Sequence, residues 1–152
     1  MIQIIDGDLL TSKTNLIAHQ VNCKGAFNSG VAKAIRLHDK SVYQDYYSFC
    51  STKTPEQLLG SVHYFKSKAD NRIYANLFAQ NQYGHKKQYT DLDALRSCFL
   101  NLKQYCFDEN LSIAMPYKIG SVRGGANWNV VYQMIEEIFE DCTVELWRLD
   151  NG

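Results

Sequence analysis

The stretch Leu16-Ile17-Ala18-His19-Gln20-Val21-Asn22-Cys23-Lys24-Gly25-Ala26-Phe27-Asn28-Ser29-Gly30-Val31-Ala32-Lys33-Ala34-Ile35 decides the fold. Residues 16–21 read as a strand. Residues 22–30 are rich in Asn, Ser and Gly, which end strands and shape turns. Val31, Ala34, Ile35 and His38 follow at spacings of three and four, which predicts a helix with Asn28 or Ser29 as its cap. A strand that passes through a glycine-bearing loop into a helix is a building unit of α/β proteins.

The same unit recurs downstream. Residues 112–115 read as a short strand closed by Pro116, and Tyr117-Lys118-Ile119-Gly120-Ser121-Val122-Arg123-Gly124-Gly125 forms the loop. A helix is expected from about Asn127, with Val131, Met134, Ile135 and Ile138 on its buried face. Around these units, residues 2–5 form a short apolar run that stops at Asp6-Gly7-Asp8. Residues 42–50 suit a helix, broken at Thr54-Pro55. Residues 58–65 and 73–78 read as strands, and a polar loop follows over residues 80–87. Leu92, Leu95, Phe99, Leu102 and Cys106 mark one face of a helix with Thr90 as the expected cap. Residues 143–149 read as a closing strand. Alternating strands and helices imply an α/β sandwich, a sheet between helical layers.

Composition sets limits. The chain has 152 residues, 45% of them hydrophobic, which suits one folded domain. Its formal net charge is zero, whereas a protein that grips a nucleic-acid backbone usually carries a basic excess. A nucleic-acid partner is therefore not expected. No stretch approaches the roughly 20 apolar residues that span a bilayer, and residues 1–10 lack the features of a signal peptide. Cys23, Cys50, Cys98, Cys106 and Cys142 form an odd set without a CxxC pair, and the four histidines are scattered. A cytoplasmic protein with neither membrane partner, metal nor cofactor is expected.

The two glycine-bearing loops occupy equivalent places, each after a strand and before a helix. Ligands of open α/β sheets bind outside the carboxyl ends of the strands. The helix start adds unpaired N–H groups and partial positive charge, and glycine lets the backbone come close to a ligand. Two such loops side by side suit a diphosphate. The GxxxxGK[ST] and GxGxxG patterns are both absent, and glycine loops alone serve as plain turns equally well.

Four segments together resemble the macrodomain family. They are Gly7-Asp8-Leu9-Leu10; His19-Gln20-Val21-Asn22-Cys23-Lys24-Gly25 continuing through Asn28-Ser29-Gly30-Val31-Ala32; Ala114-Met115-Pro116 with Ile119-Gly120; and Trp128 with the helix and strand that follow. In order and spacing they cover nearly the whole chain. The resemblance implies a three-layer α/β/α fold with a central mixed sheet, a single domain over 1–152, and binding of ADP-ribose or a derivative such as an ADP-ribosylated substrate. It implies that Asp8 accepts from the adenine amino group and that Leu9 lines that pocket. It places Asn22, Cys23, Asn28, Ser29, Gly30 and Val31 around the distal phosphate and ribose. It wraps Ile119, Gly120, Ser121, Val122, Arg123 and Gly124 around the diphosphate.

The chain departs from the family's hydrolase branches. Where one branch has a second Asn, Gly25 stands here, and no Asp is evident near Gly30. Where another has a lysine, Gln80 and Asn81 stand, with Lys86 and Lys87 displaced, and Gly124 takes the place of its aspartate. The closer resemblance is to small ADP-ribose 1″-phosphate phosphatases and to bacterial and phage macrodomains. The phosphatases carry an I-H-x-x-N-C string, and Ile17-Ala18-His19-Gln20-Val21-Asn22-Cys23 puts His19 at the matching offset before the Asn-Cys pair.

His19 then has two readings, a core histidine bonded to a neighbouring strand or an acid/base group beside the terminal phosphate. Cys23 reads as a packing residue or a thiolate at a helix entrance. Asn22 reads as a ligand contact or a turn residue, and Arg123 as a phosphate ligand or a solvated loop residue. Tyr83 and Tyr117 border the ligand or pack. Two functions follow: hydrolysis of ADP-ribose 1″-phosphate or of an ADP-ribosyl bond, and a reader that binds ADP-ribose without turnover.

Overall fold

The computed structural model describes residues 1–28, 30–83 and 88–149. The chain runs β1 (Ile2–Asp6), a 3-10 turn (Leu9–Thr11), β2 (Leu16–Asn22), α1 (Gly30–His38), α2 (Lys40–Ser51), α3 (Pro55–Leu58), β3 (Val62–Lys66), β4 (Ile73–Gln80), α4 (Leu92–Glu109), β5 (Ile113–Pro116), α5 (Trp128–Ile138) and β6 (Val144–Arg148). The strands form one sheet in the order β1-β6-β5-β2-β4-β3. Only β3 runs antiparallel to its neighbour; the other pairs are parallel, so the sheet is mixed.

Side chains alternate across a strand, and the alternation sorts the core into two layers. Leu16 and Ala18 of β2, with Ala75, Leu77 and Ala79 of β4, pack beneath α4 and α5 through Leu95, Phe99, Leu102, Val131 and Ile135. Ile17 and Val21, with Tyr74 and Phe78, face Ile35 of α1 and Val42 and Tyr46 of α2. These residues are all but sealed from solvent. Fully burying one such aliphatic or aromatic side chain contributes about 1.5–3 kcal/mol, so helices on both faces hold the sheet. This is the expected α/β/α arrangement. No described helix is long and apolar enough to cross a membrane.

Some boundaries differ from expectation. Thr54-Pro55 does end α2, but it also opens α3. The Thr54 hydroxyl accepts from the Gln57 amide and the Gln57 side chain accepts from the Thr54 amide, a capping box with Pro at the first turn. Residues 58–61 therefore lie outside the expected strand, which begins at Val62. Asp91, not Thr90, caps α4, its carboxylate accepting from Ala94 N at 3.0 Å. Thr90 is drawn off to the ligand-side loops. On α1 only Ile35 is buried among the four residues of the expected face.

Candidate ligand-binding cleft

Parallel strands end on one side of the sheet, and their carboxyl ends surround a single opening. Residues 7–10 after β1, the loop after β2, residues 116–120 and 122–124 after β5 and residues 147–149 at the end of β6 line a cleft of about 680 Å³. That volume lies within the range of small-molecule sites. The two glycine-bearing loops thus border one cleft. A Cβ built on Gly30 would lie 3.8 Å from Arg123 Nε, so the loops approach each other across it.

The downstream loop is tightly braced. Gln20 Nε2 donates to Gln80 Oε1 at 2.6 Å and to Thr90 Oγ1 at 2.7 Å, and Thr90 Oγ1 donates to Gly120 O at 2.7 Å. Gly124 O accepts the amides of Tyr89 and Thr90. A Cβ on Gly124 would sit 2.0 Å from Thr90 Oγ1 and 2.6 Å from Gly120 O, so only glycine fits. Ile119 N and Ser121 N close turns onto Pro116 O and Lys118 O. No hydrogen bond engages the amides of Gly120, Val122, Arg123 and Gly124 among the described residues. The first amides of α1, from Gly30 onward, have no partner within the helix.

Charge supports an anionic occupant. Lys118, Arg123 and Arg148 line the cleft, and Asp8 is the only carboxylate among its described lining residues. A chain with no net charge therefore concentrates positive charge at this opening. Arg148 is shared with Asp6 at 2.8 Å, which pulls the Asp6 carboxyl below its usual range.

At the other end, Asp8 caps the 3-10 turn, Oδ1 accepting from Leu10 N at 2.9 Å. Leu9 is buried beneath it. Tyr117, Trp147 and Leu149 complete this wall. No local sequence pattern points to Trp147 and Leu149. The signal exists only in topology: β6 pairs with β1 in register, so the end of β6 lies beside Gly7 and Asp8. Gly7 meets the Trp147 ring at 3.1 Å from a built Cβ. Gln20 lines the cleft from the opposite face of β2 to His19, and Gln80 joins it from the end of β4.

His19 lines the inner end of the cleft and is only 1% exposed. Its Nε2 lies 2.5 Å from Asn76 Oδ1, and the Phe27 ring packs edge-on against it at 5.3 Å between centroids. Burial pushes its pKa down to about 4, only partly opposed by the Asn76 hydrogen bond. The imidazole is therefore neutral near pH 7. Nδ1 is buried with no hydrogen-bond partner among the described residues. An unpaired buried polar atom costs about 1–3 kcal/mol, so a hydrogen-bond donor brought to this nitrogen would be favoured.

The other expected site residues divide. Asp8, Leu9, Asn22, Asn28, Gly30, Val31, Ile119, Gly120, Val122, Arg123 and Gly124 line the cleft. Cys23 and Ser121 do not line it, and Ser29 lies outside the described residues, as do Lys86 and Lys87. Cys23 is buried, which pushes its thiol up to about 11 and removes the thiolate reading. Ser121 faces inward with its hydroxyl sealed from solvent. Asn22 borders the cleft, but its side chain holds the loop: Nδ2 donates to Ala26 O at 3.0 Å and Oδ1 accepts from Lys24 N at 2.9 Å. Tyr46 OH braces the same residue through its carbonyl at 2.6 Å.

No family model matches the chain. Two curated relatives are both named ADP-ribose 1″-phosphate phosphatase. The one from Debaryomyces hansenii is 32% identical over 120 residues, covering 68% of this chain and 66% of the relative. The one from Meyerozyma guilliermondii is 30% identical over 104 residues, 59% of each. The macrodomain of Thermus aquaticus DarG superposes with a TM-score of 0.79 at 22% identity, over 99% of this chain and 98% of that one. The chain belongs to the macrodomain family. Thermosipho africanus DarTG in complex with ADP-ribose also superposes, with a TM-score of 0.82 at 18% identity, covering 99% of this macrodomain and 42% of that chain. The macrodomain spans 59% to 66% of the length of the two curated relatives.

Proposed function

We propose that this macrodomain binds ADP-ribose or a derivative in the cleft and hydrolyses it, as an ADP-ribose 1″-phosphate phosphatase or an ADP-ribosyl hydrolase. One observation carries the reading: the start of α1 and the facing loop of Gly120 to Gly124, where the amides of Gly120, Val122, Arg123 and Gly124 have no hydrogen-bond partner among the described residues, border one net-cationic cleft. Backbone amides hold a diphosphate without a metal or a large excess of cations. Asp8 is placed to accept from the adenine amino group, with Leu9, Tyr117 and Trp147 as its apolar surround. The distal ribose then falls towards His19. The names of the curated relatives and the solved ADP-ribose complex support this choice of ligand.

In the phosphatase reading, a water attacks the phosphorus of the 1″-phosphate. A new P–O bond forms, the bond to the ribose oxygen breaks, and that oxygen takes a proton from solvent, to which His19 returns the one it accepts. His19 Nδ1 receives the proton from the water. A bound phosphate raises the low pKa of His19 by its negative charge, which improves the base where it is needed. The loop amides fix the ligand so that attack is effectively intramolecular. Among the described lining residues Asp8 alone carries a carboxylate.

Calorimetry with ADP-ribose, followed by phosphate release from ADP-ribose 1″-phosphate, tests both halves. Binding with release supports the enzyme. Binding without release from either substrate class leaves a reader module. No heat at millimolar ligand with the fold intact contradicts the proposal. We also infer a cytoplasmic setting, supported by five free cysteines, and one macrodomain over 1–152 of bacterial or phage kind.

A further inference from the structure

The register of three adjacent strands places His19, Asn76 and His63 side by side. His19 of β2 is the partner of Asn76 in β4, and Asn76 is the partner of His63 in β3. Their side chains fall on the sheet face covered by α1 and α2, and all three are buried. Asn76 Oδ1 meets His19 Nε2 at 2.5 Å, and Asn76 Nδ2 meets His63 Nδ1 at 3.0 Å. His63 Nε2 meets Asp45 Oδ2 at 2.7 Å. Asp45 stands on α2 with half of its side chain exposed. A continuous row of hydrogen bonds thus joins the inner end of the cleft to the protein surface.

The row has a direction, and its outer end sets it. An ionised carboxylate only accepts, so His63 Nε2 carries a proton and donates. Burial lowers the His63 pKa, so the ring is neutral and its Nδ1 must accept. Asn76 then turns its NH₂ to His63 and its oxygen to His19. That oxygen only accepts, so His19 Nε2 carries the proton. Nδ1 of His19 is left with a lone pair and no described partner.

We propose that Asn76, His63 and Asp45 are positioning residues that hold His19 in the ligand-free protein as its neutral Nε2–H tautomer, leaving Nδ1 as the acceptor of the ring. The chemistry that suits Nδ1 is then a water or a hydroxyl, each of which can donate. An ionised phosphate oxygen in direct contact does not suit it, because two acceptors repel. His19 is thereby assigned to the nucleophile's proton rather than to phosphate binding. This consequence rests on the proposed ADP-ribose reading; the tautomer itself does not.

Two-bond ¹H–¹⁵N correlation spectra of the ligand-free protein near pH 7 report each ring nitrogen separately. The expected result is a pyridine-like Nδ1 and a pyrrole-like Nε2 for both His19 and His63. A pyrrole-like Nδ1 on His19, or averaged shifts on its two nitrogens, overturns the proposal whatever the ligand proves to be. His63→Phe removes the acceptor for the Asn76 amide, and Asp45→Ala removes the outer anchor from an exposed position, where folding is least at risk. In either variant the single His19 tautomer is expected to give way to averaged shifts. Turnover of ADP-ribose 1″-phosphate by Asp45→Ala is expected to fall about tenfold in kcat with KM little changed, the scale seen when a histidine's orienting partner is lost. An unchanged His19 spectrum in Asp45→Ala, or an unchanged kcat, shows that the outer residues do not position the ring and overturns the assignment.

Discussion

Replacing Gly124 by alanine tests the construction of the cleft at its tightest point. The new Cβ would lie 2.0 Å from Thr90 Oγ1, 2.6 Å from Gly120 O and 2.9 Å from Gln20 Nε2. None of these atoms is free to move alone. Thr90 Oγ1 accepts from Gln20 and donates to Gly120 O, and the Gly124 carbonyl accepts two amides from residues 89 and 90. Relief requires the loop to move away from Thr90, which breaks at least the two side-chain bonds. At about 1 kcal/mol each, with a buried group left unpaired, the cost is about 2–3 kcal/mol. For a domain of this size that lowers Tm by about 5–10 °C. The same shift displaces the amides of residues 120–124, so ADP-ribose affinity is expected to fall about tenfold or more, a loss of about 1.4 kcal/mol. Differential scanning calorimetry and isothermal titration read the two effects. A G124A protein that melts with the wild type and binds ADP-ribose equally well would refute the packing argument.

Other outcomes follow from single residues. Asp8→Ala loses a carboxylate already engaged with Leu10 N, so its expected effect is about 1 kcal/mol, roughly fivefold in ADP-ribose affinity by calorimetry; unchanged affinity would misplace the adenine end. Arg123→Ala is expected to weaken binding by about 0.5–1 kcal/mol at low salt and less at high salt, because the side chain is exposed; a salt-independent loss contradicts a charge role. The folded-state pKa of His19 is about 4 against 6.5 for the free side chain, so the unfolded chain binds more protons between these values. Stability is therefore fully present above about pH 6.5 and is lost as pH falls towards 4, by about 3 kcal/mol from this residue. Urea unfolding between pH 7 and 4.5 is expected to show a shallower loss in His19→Gln than in wild type, and equal slopes would contradict the burial of a neutral ring.

Much of this architecture is legible in the sequence because its signals are local. The strand–loop–helix units around residues 22 and 117 carry period-two and period-3.6 patterns on either side of glycine loops, and both loops reach the same cleft. Local signals also misled. Thr54-Pro55 reads as a helix breaker and does end α2, but the pattern hides that the same pair forms the capping box that starts α3. Thr90 has the chemistry of a cap, but its hydroxyl is claimed by Gly120 O, and Asp91 next to it takes the role. The remaining misses are long-range. Trp147 reaches the Asp8 end because β6 inserts between β1 and β5, a strand order no local pattern encodes. The alignment of His19 with Asn76 and His63 depends on the registers of two strand pairs, so scattered histidines in the sequence became neighbours in the sheet.

Backbone amide chemical shifts during titration with ADP-ribose test the site most directly. The account predicts saturable shifts at Gly30 to Ala32 and at Gly120 to Gly124, with Asp8 and Leu9 moving together and β3 unaffected. Shifts confined to residues outside the cleft, or none at millimolar ADP-ribose, would contradict it.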